Sequence, residues 1–150
     1  MSDLLQFDQN LFFAINHGMS NPFFDWLMPL VRNRFLWAPL YVFLAVFFVK
    51  NYGNRGWSLL LFFALTFAVT DFFTSSVVKP SSVERLRPCN DPELRTEVHS
   101  LISCGSGYSF PSTHAANHFA MALFLVSMFY SRWKFILPLA LSWALLISFA

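Results

Sequence analysis

Pro111-Ser112-Thr113-His114 is the stretch of this chain whose residue types and spacing are best suited to chemistry. It stands at the head of an apolar run, so Ser112 or Thr113 can cap a helix whose first turn carries His114. A helix N-terminus offers backbone N–H groups and partial positive charge, which together make an anion site. A hydroxyl at the cap adds a donor. Histidine is the side chain whose ordinary pKa lets it exchange a proton near neutral pH. Gly105 and Gly107 let the approach to the cap fold tightly. Upstream, the run KPSSVERLRP holds Lys79, Arg85 and Arg87, a point charge and planar donors of the kind that phosphate recognition uses. Alone, such bases beside a membrane segment read equally well as snorkelling border residues. The two clusters together suggest phosphate binding with a proton donor at hand.

The elements that must position these residues are apolar. The 150 residues suit one domain, 56% hydrophobic and 12% charged, about half the usual charged share of ~25%. The twenty phenylalanines fall in runs without a polar face, as lipid-exposed helices require. A net charge of +2, with no basic stripe interleaved with aromatics, argues against a nucleic-acid partner. Met1–Asn10 carries acids where a cleavable signal has bases, so the hydrophobic segments are expected to do the targeting. The fold class expected is all-α, a polytopic membrane helix bundle of about four spans with short interfacial helices at the N-terminus. A single domain, 1–150, divides into interfacial helices (1–34), two spans (35–78), an outward catalytic loop (79–111) and two further spans (112–150). The last apolar run, Phe135–Ala150, falls short of the roughly 20 residues a span needs, so this last span is expected to be incomplete and the chain cut short.

Three details refine this frame. Ser20-Asn21-Pro22 has the form of a cap with proline at the first helical position, and His17 just before it is given no function. Asp71 is the one ionisable residue in the span Trp57–Val78. It either faces a partner in the bundle interior or sits near the helix end and meets water, and both readings stay open. The short turns hold Lys50, Arg55, Arg132 and Lys134 without an acid, while the other side mixes its bases with Asp25, Glu84, Asp91, Glu93 and Glu97. The positive-inside rule then puts the short turns in the cytoplasm and the Lys79–His114 stretch outside, in the periplasm of a bacterial inner membrane. Cys89 and Cys104 share that side and are expected to form a disulfide, the alternative being two unpaired thiols.

The order of the clusters resembles the type 2 phosphatidic acid phosphatase superfamily, membrane relatives of bacterial acid phosphatases and vanadium haloperoxidases. Its motifs are Lys-x6-Arg-Pro, Pro-Ser-x-His and Ser-Arg-x5-His-x3-Asp. KPSSVERLRP matches the first with one extra residue between Lys79 and Arg87, and Pro111-Ser112-Thr113-His114 matches the second in full. The third does not occur in these residues. The likeness extends over roughly residues 22–150.

That resemblance implies a metal-independent, cofactor-free phosphatase acting on a lipid phosphate or diphosphate through a phospho-histidine. Lys79 and Arg87 would hold phosphate oxygens, with Ser112 and Thr113 and nearby N–H groups completing the cradle. His114 would protonate the leaving oxygen, and the nucleophile would be the histidine of the third motif. The extra residue could be absorbed by a bulge where the helix ends or could misplace Lys79, and Arg85 stands close enough to compete with Arg87. Without a nucleophile, the 150 residues by themselves are expected not to turn over, because one imidazole cannot both attack and protonate the leaving group.

Other patterns weigh less. His114 and His118 have the four-residue spacing of zinc ligands, but a third ligand would have to come from His99 or a cysteine, and no Glu stands between them. His118 is expected to support the site by packing or hydrogen bonding. Ser112 lacks the flanking glycines of a serine-hydrolase elbow. A different class of reading is a truncated or degenerate relative that binds anionic head groups or serves as a membrane scaffold. Phosphatidic acid, undecaprenyl diphosphate and phosphatidylglycerol phosphate present the same phosphoryl group, so the lipid itself is not legible.

Overall fold

A computed structural model of the chain describes residues 2–81, 85–105 and 107–150, with the side chains of 2–5 and 34 left undescribed. The described structure is helical: α1 (Ser2–Gly18), α2 (Pro22–Arg32), α3 (Ala38–Tyr52) after a short 3-10 turn (Arg34–Trp37), α4 (Asn54–Ser81), α5 (Thr113–Phe129) and α6 (Ile136–Phe149). It forms two compact units. One comprises Met1–Leu30 and Arg85–Ser109, the other Val31–Glu84 and Phe110–Ala150.

The second unit is the helix bundle. The apolar runs become helices because a backbone surrounded by hydrocarbon must satisfy its own hydrogen bonds. Phe35–Tyr52 and Asn54–Ser81 are long and apolar enough to cross a membrane, and only 11% of the apolar stretch of each is buried within the protein. Val42, Phe43 and Val46 of α3 and Leu61, Phe62, Phe67 and Val69 of α4 face outward. A soluble core helix would bury such residues; here they present an apolar surface suited to lipid. At 1.5 Å per residue the 28-residue α4 is about 42 Å long, against a hydrocarbon core of ~30 Å. Its polar ends, Asn54-Arg55 and Lys79–Ser81, therefore clear the apolar layer.

Inside the bundle, Leu44 and Phe48 of α3, Phe63 of α4, and Met121 and Leu125 of α5 form one core, with Phe48 stacked on Phe129 at 6.1 Å. Ala122 of α5 meets Ala140 and Ala144 of α6, small residues that let these two helices approach closely. The turn between α3 and α4 depends on two glycines. Gly53 takes a φ of +55° and donates to the Val49 carbonyl at 3.0 Å. Gly56 lies so near α3 that an added Cβ would overlap the Phe48 carbonyl oxygen.

Near its end α4 widens into a π-helical turn over Phe73–Val78, where the Lys79 N–H reaches back to the Thr74 carbonyl. Pro80 gives a local cause: it has no N–H to offer and its ring crowds the carbonyl four residues back. The expected span Trp57–Val78 is thus part of a longer helix whose last turns are not regular α. A bulge absorbing the extra residue of the first motif would fall near residues 82–84, which lie outside the described residues, as does Glu84 of the charge comparison.

In the first unit, Asn21 caps α2, its side-chain oxygen accepting from the Phe23 and Phe24 amides at 3.1 and 3.0 Å. The loop that includes Glu97 and His99 is fastened to the N-terminal helices by backbone-directed bonds. Asn16 donates to the His99 carbonyl and accepts from the His99 amide, both at 2.9 Å, and His17 Nε2 donates to the Glu97 carbonyl at 2.7 Å. His99 Nε2 stands 3.7 Å from an Asp25 carboxylate oxygen. His17, given no function from sequence, is an anchor for the loop.

Candidate active site

Within the bundle, α4 and α5 run antiparallel. Phe63 meets Phe124 with ring centroids 5.5 Å apart, while Asp71, eight residues further along α4, meets Asn117, seven residues earlier on α5. The Lys79 end of α4 and the Ser112 end of α5 therefore share one end of the bundle, where α5 also packs against the widened turn. The two motif clusters of this unit are brought to the same side of the membrane segments by helix direction alone.

Ser112 is the cap, in preference to Thr113. It is extended (φ −75°, ψ 113°), and its Oγ accepts from the Ala115 amide at 3.3 Å. Its carbonyl accepts from the Ala116 amide at 3.0 Å. This fixes the direction of the first turn, which places Thr113 and His114 at the positive end of a 17-residue helix. Ser112 and His114 are exposed and Lys79 half-buried, so the terminus carrying His114 is accessible.

Beneath this turn lies a polar layer. Asn117, only 5% exposed, donates its amide Nδ2 to Asp71 Oδ1 at 2.8 Å. Asp71 thus has a partner in the bundle interior, one of the two readings left open by sequence. His118 Nδ1 donates to the His114 carbonyl at 2.8 Å, and its ring stands edge-on to Trp143 of α6 with centroids 5.1 Å apart. The His118 Nε2 is enclosed and makes no hydrogen bond among the described residues. The His114/His118 spacing is used for packing: one nitrogen of His118 is held by a carbonyl and the other is covered. Among the described residues no group of three or more His, Cys, Asp or Glu could hold a metal ion.

Arg85, Arg87, Cys89 and Cys104 belong to the first unit. Cys89 and Cys104 are joined in a disulfide with Cα atoms 6.1 Å apart. Arg85 forms a two-pronged ion pair with Asp8 of α1, NH1 donating to Oδ1 at 3.1 Å and NH2 pairing with Oδ2. Its guanidinium is engaged there. The Arg87 carbonyl accepts from the amides of Asn90 and Asp91 at 2.7 and 2.9 Å, closing a turn that contains Cys89.

Sequence reasoning did not find Asp8, Asn117 or Trp143. Asp8 interrupts an apolar pattern, and Asn117 is a polar residue early in an apolar helix; both were visible signals. Their partners, Arg85 and Asp71, lie 77 and 46 residues away in sequence and are set by tertiary placement.

Comparison with known proteins finds relatives over most of the chain. A lipid A 4'-phosphatase of Bacteroides thetaiotaomicron is 32% identical over 136 residues, covering 87% of this chain and 58% of the relative. A lipid A 4'-phosphatase of Porphyromonas gingivalis is 27% identical over 134 residues, covering 88% of this chain and 56% of the relative. The chain thus spans a little over half the length of these curated relatives. No solved structure matches it. Residues 55–150, which include Lys79, Arg87 and the whole of α5, match the PAP2 superfamily, and the chain belongs to that superfamily.

Proposed function

We propose that the chain carries the phosphate cradle and general acid of a membrane phosphatase that removes a phosphoryl group from a lipid on the outer side of a bacterial membrane. The observation that carries this reading is the arrangement at one end of the bundle: Lys79 ends α4 where Ser112 and His114 open the antiparallel α5. A capped helix terminus and a lysine suit the binding of a phosphoryl group, and an exposed imidazole suits protonation of the lipid oxygen that leaves it.

In this reading Lys79 and Arg87 neutralise the non-bridging oxygens, and the amides of the first turn of α5 donate to the same oxygens as the transition state forms. His114 gives its proton to the bridging oxygen as the P–O bond to the lipid breaks. The attacking histidine of the third motif is not among these 150 residues, and no side chain described here is assigned that role. The 150 residues alone are therefore expected to bind phosphate without turnover.

The names of the relatives make a phosphorylated lipid A the first substrate to offer. Discrimination among lipids rests on contacts to the lipid part, since the phosphoryl group is common to all of them. The test is mass spectrometry of lipid A extracted from cells expressing the complete reading frame, compared with cells lacking it. Loss of one phosphoryl group supports the reading. An unchanged lipid A, with phosphate released from no other lipid by the purified product, favours a protein that only binds anionic head groups.

A further inference from the structure

We infer that Gly105 is a positioning residue for Arg87: its missing side chain is the space that the guanidinium occupies, and the Cys89–Cys104 bridge holds the two together. This rests on the reading of Arg87 as a phosphate ligand. A Cβ built on Gly105 would stand 2.9 Å from an Arg87 terminal nitrogen, 3.2 Å from the guanidinium carbon and 3.5 Å from the second terminal nitrogen. The guanidinium therefore lies along the Gly105 backbone, and the Arg87 Nε is enclosed with no hydrogen bond among the described residues.

The surrounding bonds fix this contact from both strands of the loop. Cys89 is two residues after Arg87 and Cys104 directly precedes Gly105, so the disulfide closes beside the contact. Asn90 donates its side-chain amide to the Gly105 carbonyl at 3.1 Å. At the other end Ser109 donates its amide to the Arg85 carbonyl at 2.8 Å.

The nature of the clash separates a positioning role from a structural one. The atoms an alanine methyl would meet are the far end of a flexible side chain, and the φ of Gly105 lies outside the left-handed range. Gly105→Ala can therefore be accommodated by moving the guanidinium while the loop stays folded. What is lost is the placement of two planar donors, and with it affinity for phosphate.

The test uses the full-length protein in detergent, with a phosphorylated lipid as substrate and inorganic phosphate as competing ligand. Gly105→Ala is expected to raise KM and the phosphate inhibition constant about tenfold, a charged hydrogen bond's worth, with the melting temperature unchanged. In an Arg87→Lys background, where the slimmer side chain leaves room, adding Gly105→Ala is expected to change neither constant further. Cys89→Ser with Cys104→Ser is expected to shift the same two constants in the same direction. Three results would each overturn the proposal: wild-type constants in Gly105→Ala, an equal effect of Gly105→Ala with and without Arg87→Lys, or a fall in melting temperature as large as that of the cysteine pair. Unchanged turnover in Arg87→Ala would instead overturn the reading of Arg87, and this inference with it.

Discussion

Asn117 donates its side-chain amide to Asp71 at 2.8 Å, tying the second turn of α5 to the later half of α4 directly beneath the turn that carries His114. The pair joins two antiparallel helices at one level, so it sets their rotation as well as their depth. Its loss is expected to cost about 0.6–1.7 kcal/mol, the range for side-chain hydrogen bonds between membrane helices. Thermal unfolding in detergent should show Asn117→Leu and Asp71→Leu each destabilised, with the double variant less destabilised than the sum of the two. Additive losses would mean that the two side chains do not act as a pair.

Gly56 tests the bundle from a different direction. Its absent Cβ would meet the carbonyl of Phe48, a backbone atom held in α3, so nothing nearby can yield. Gly56→Ala is expected to cost at least the roughly 1–3 kcal/mol typical of overpacking and to lower the yield of folded protein in membranes. A variant with wild-type melting behaviour would contradict the close approach of α3 and α4.

The disulfide closes a 15-residue separation, for which chain-entropy reasoning gives about 3 kcal/mol. Both thiols should resist alkylation in membranes prepared under oxidising conditions and become reactive after reduction. Two freely alkylated cysteines before reduction would remove the bridge.

Two arginines two residues apart are expected to behave differently. Arg85 is committed to Asp8, and Arg87 is read as a phosphate ligand. Arg87→Ala should reduce the specificity constant roughly 10- to 100-fold, the loss of a charge-assisted contact. Arg85→Ala should act through stability, with a lower melting temperature and a specificity constant within a few-fold of wild type. The reverse pattern would move the motif's arginine to Arg85.

The apolar runs and the two motif clusters were legible in the sequence because each is a local signal. A run with no polar face belongs in lipid or in a large core, and a hydroxyl ahead of an apolar run is a cap signal, although the choice of Ser112 over Thr113 came from the structure. The Cys89–Cys104 pairing was legible for a similar reason: the chain has only two cysteines, and both stand in one polar stretch. Asp71 shows where local signals stop, since its environment depends on the rotation of α4 against α5, and only the position of Asn117 decides between interior and exit. The π-helical turn before Lys79 was half-visible. Pro80 announced a disturbance, but a proline near a helix end can stop the helix as easily as widen it. The Arg87–Gly105 contact was invisible because Gly105 matters through the space it leaves, which becomes meaningful only once the disulfide has folded the loop.

The central claim is that His114 donates the proton in phosphate release from a cradle containing Lys79. The most direct measurement is single-turnover phosphate release from a phosphorylated lipid by the full-length protein, in EDTA, with and without vanadate, for wild type and for His114→Ala and Lys79→Ala. Vanadate-sensitive release by wild type is expected, with His114→Ala slowing the chemical step roughly 10²- to 10⁴-fold, the usual range for a general acid, and Lys79→Ala chiefly weakening substrate binding. Release that continues at the wild-type rate in His114→Ala would contradict the account.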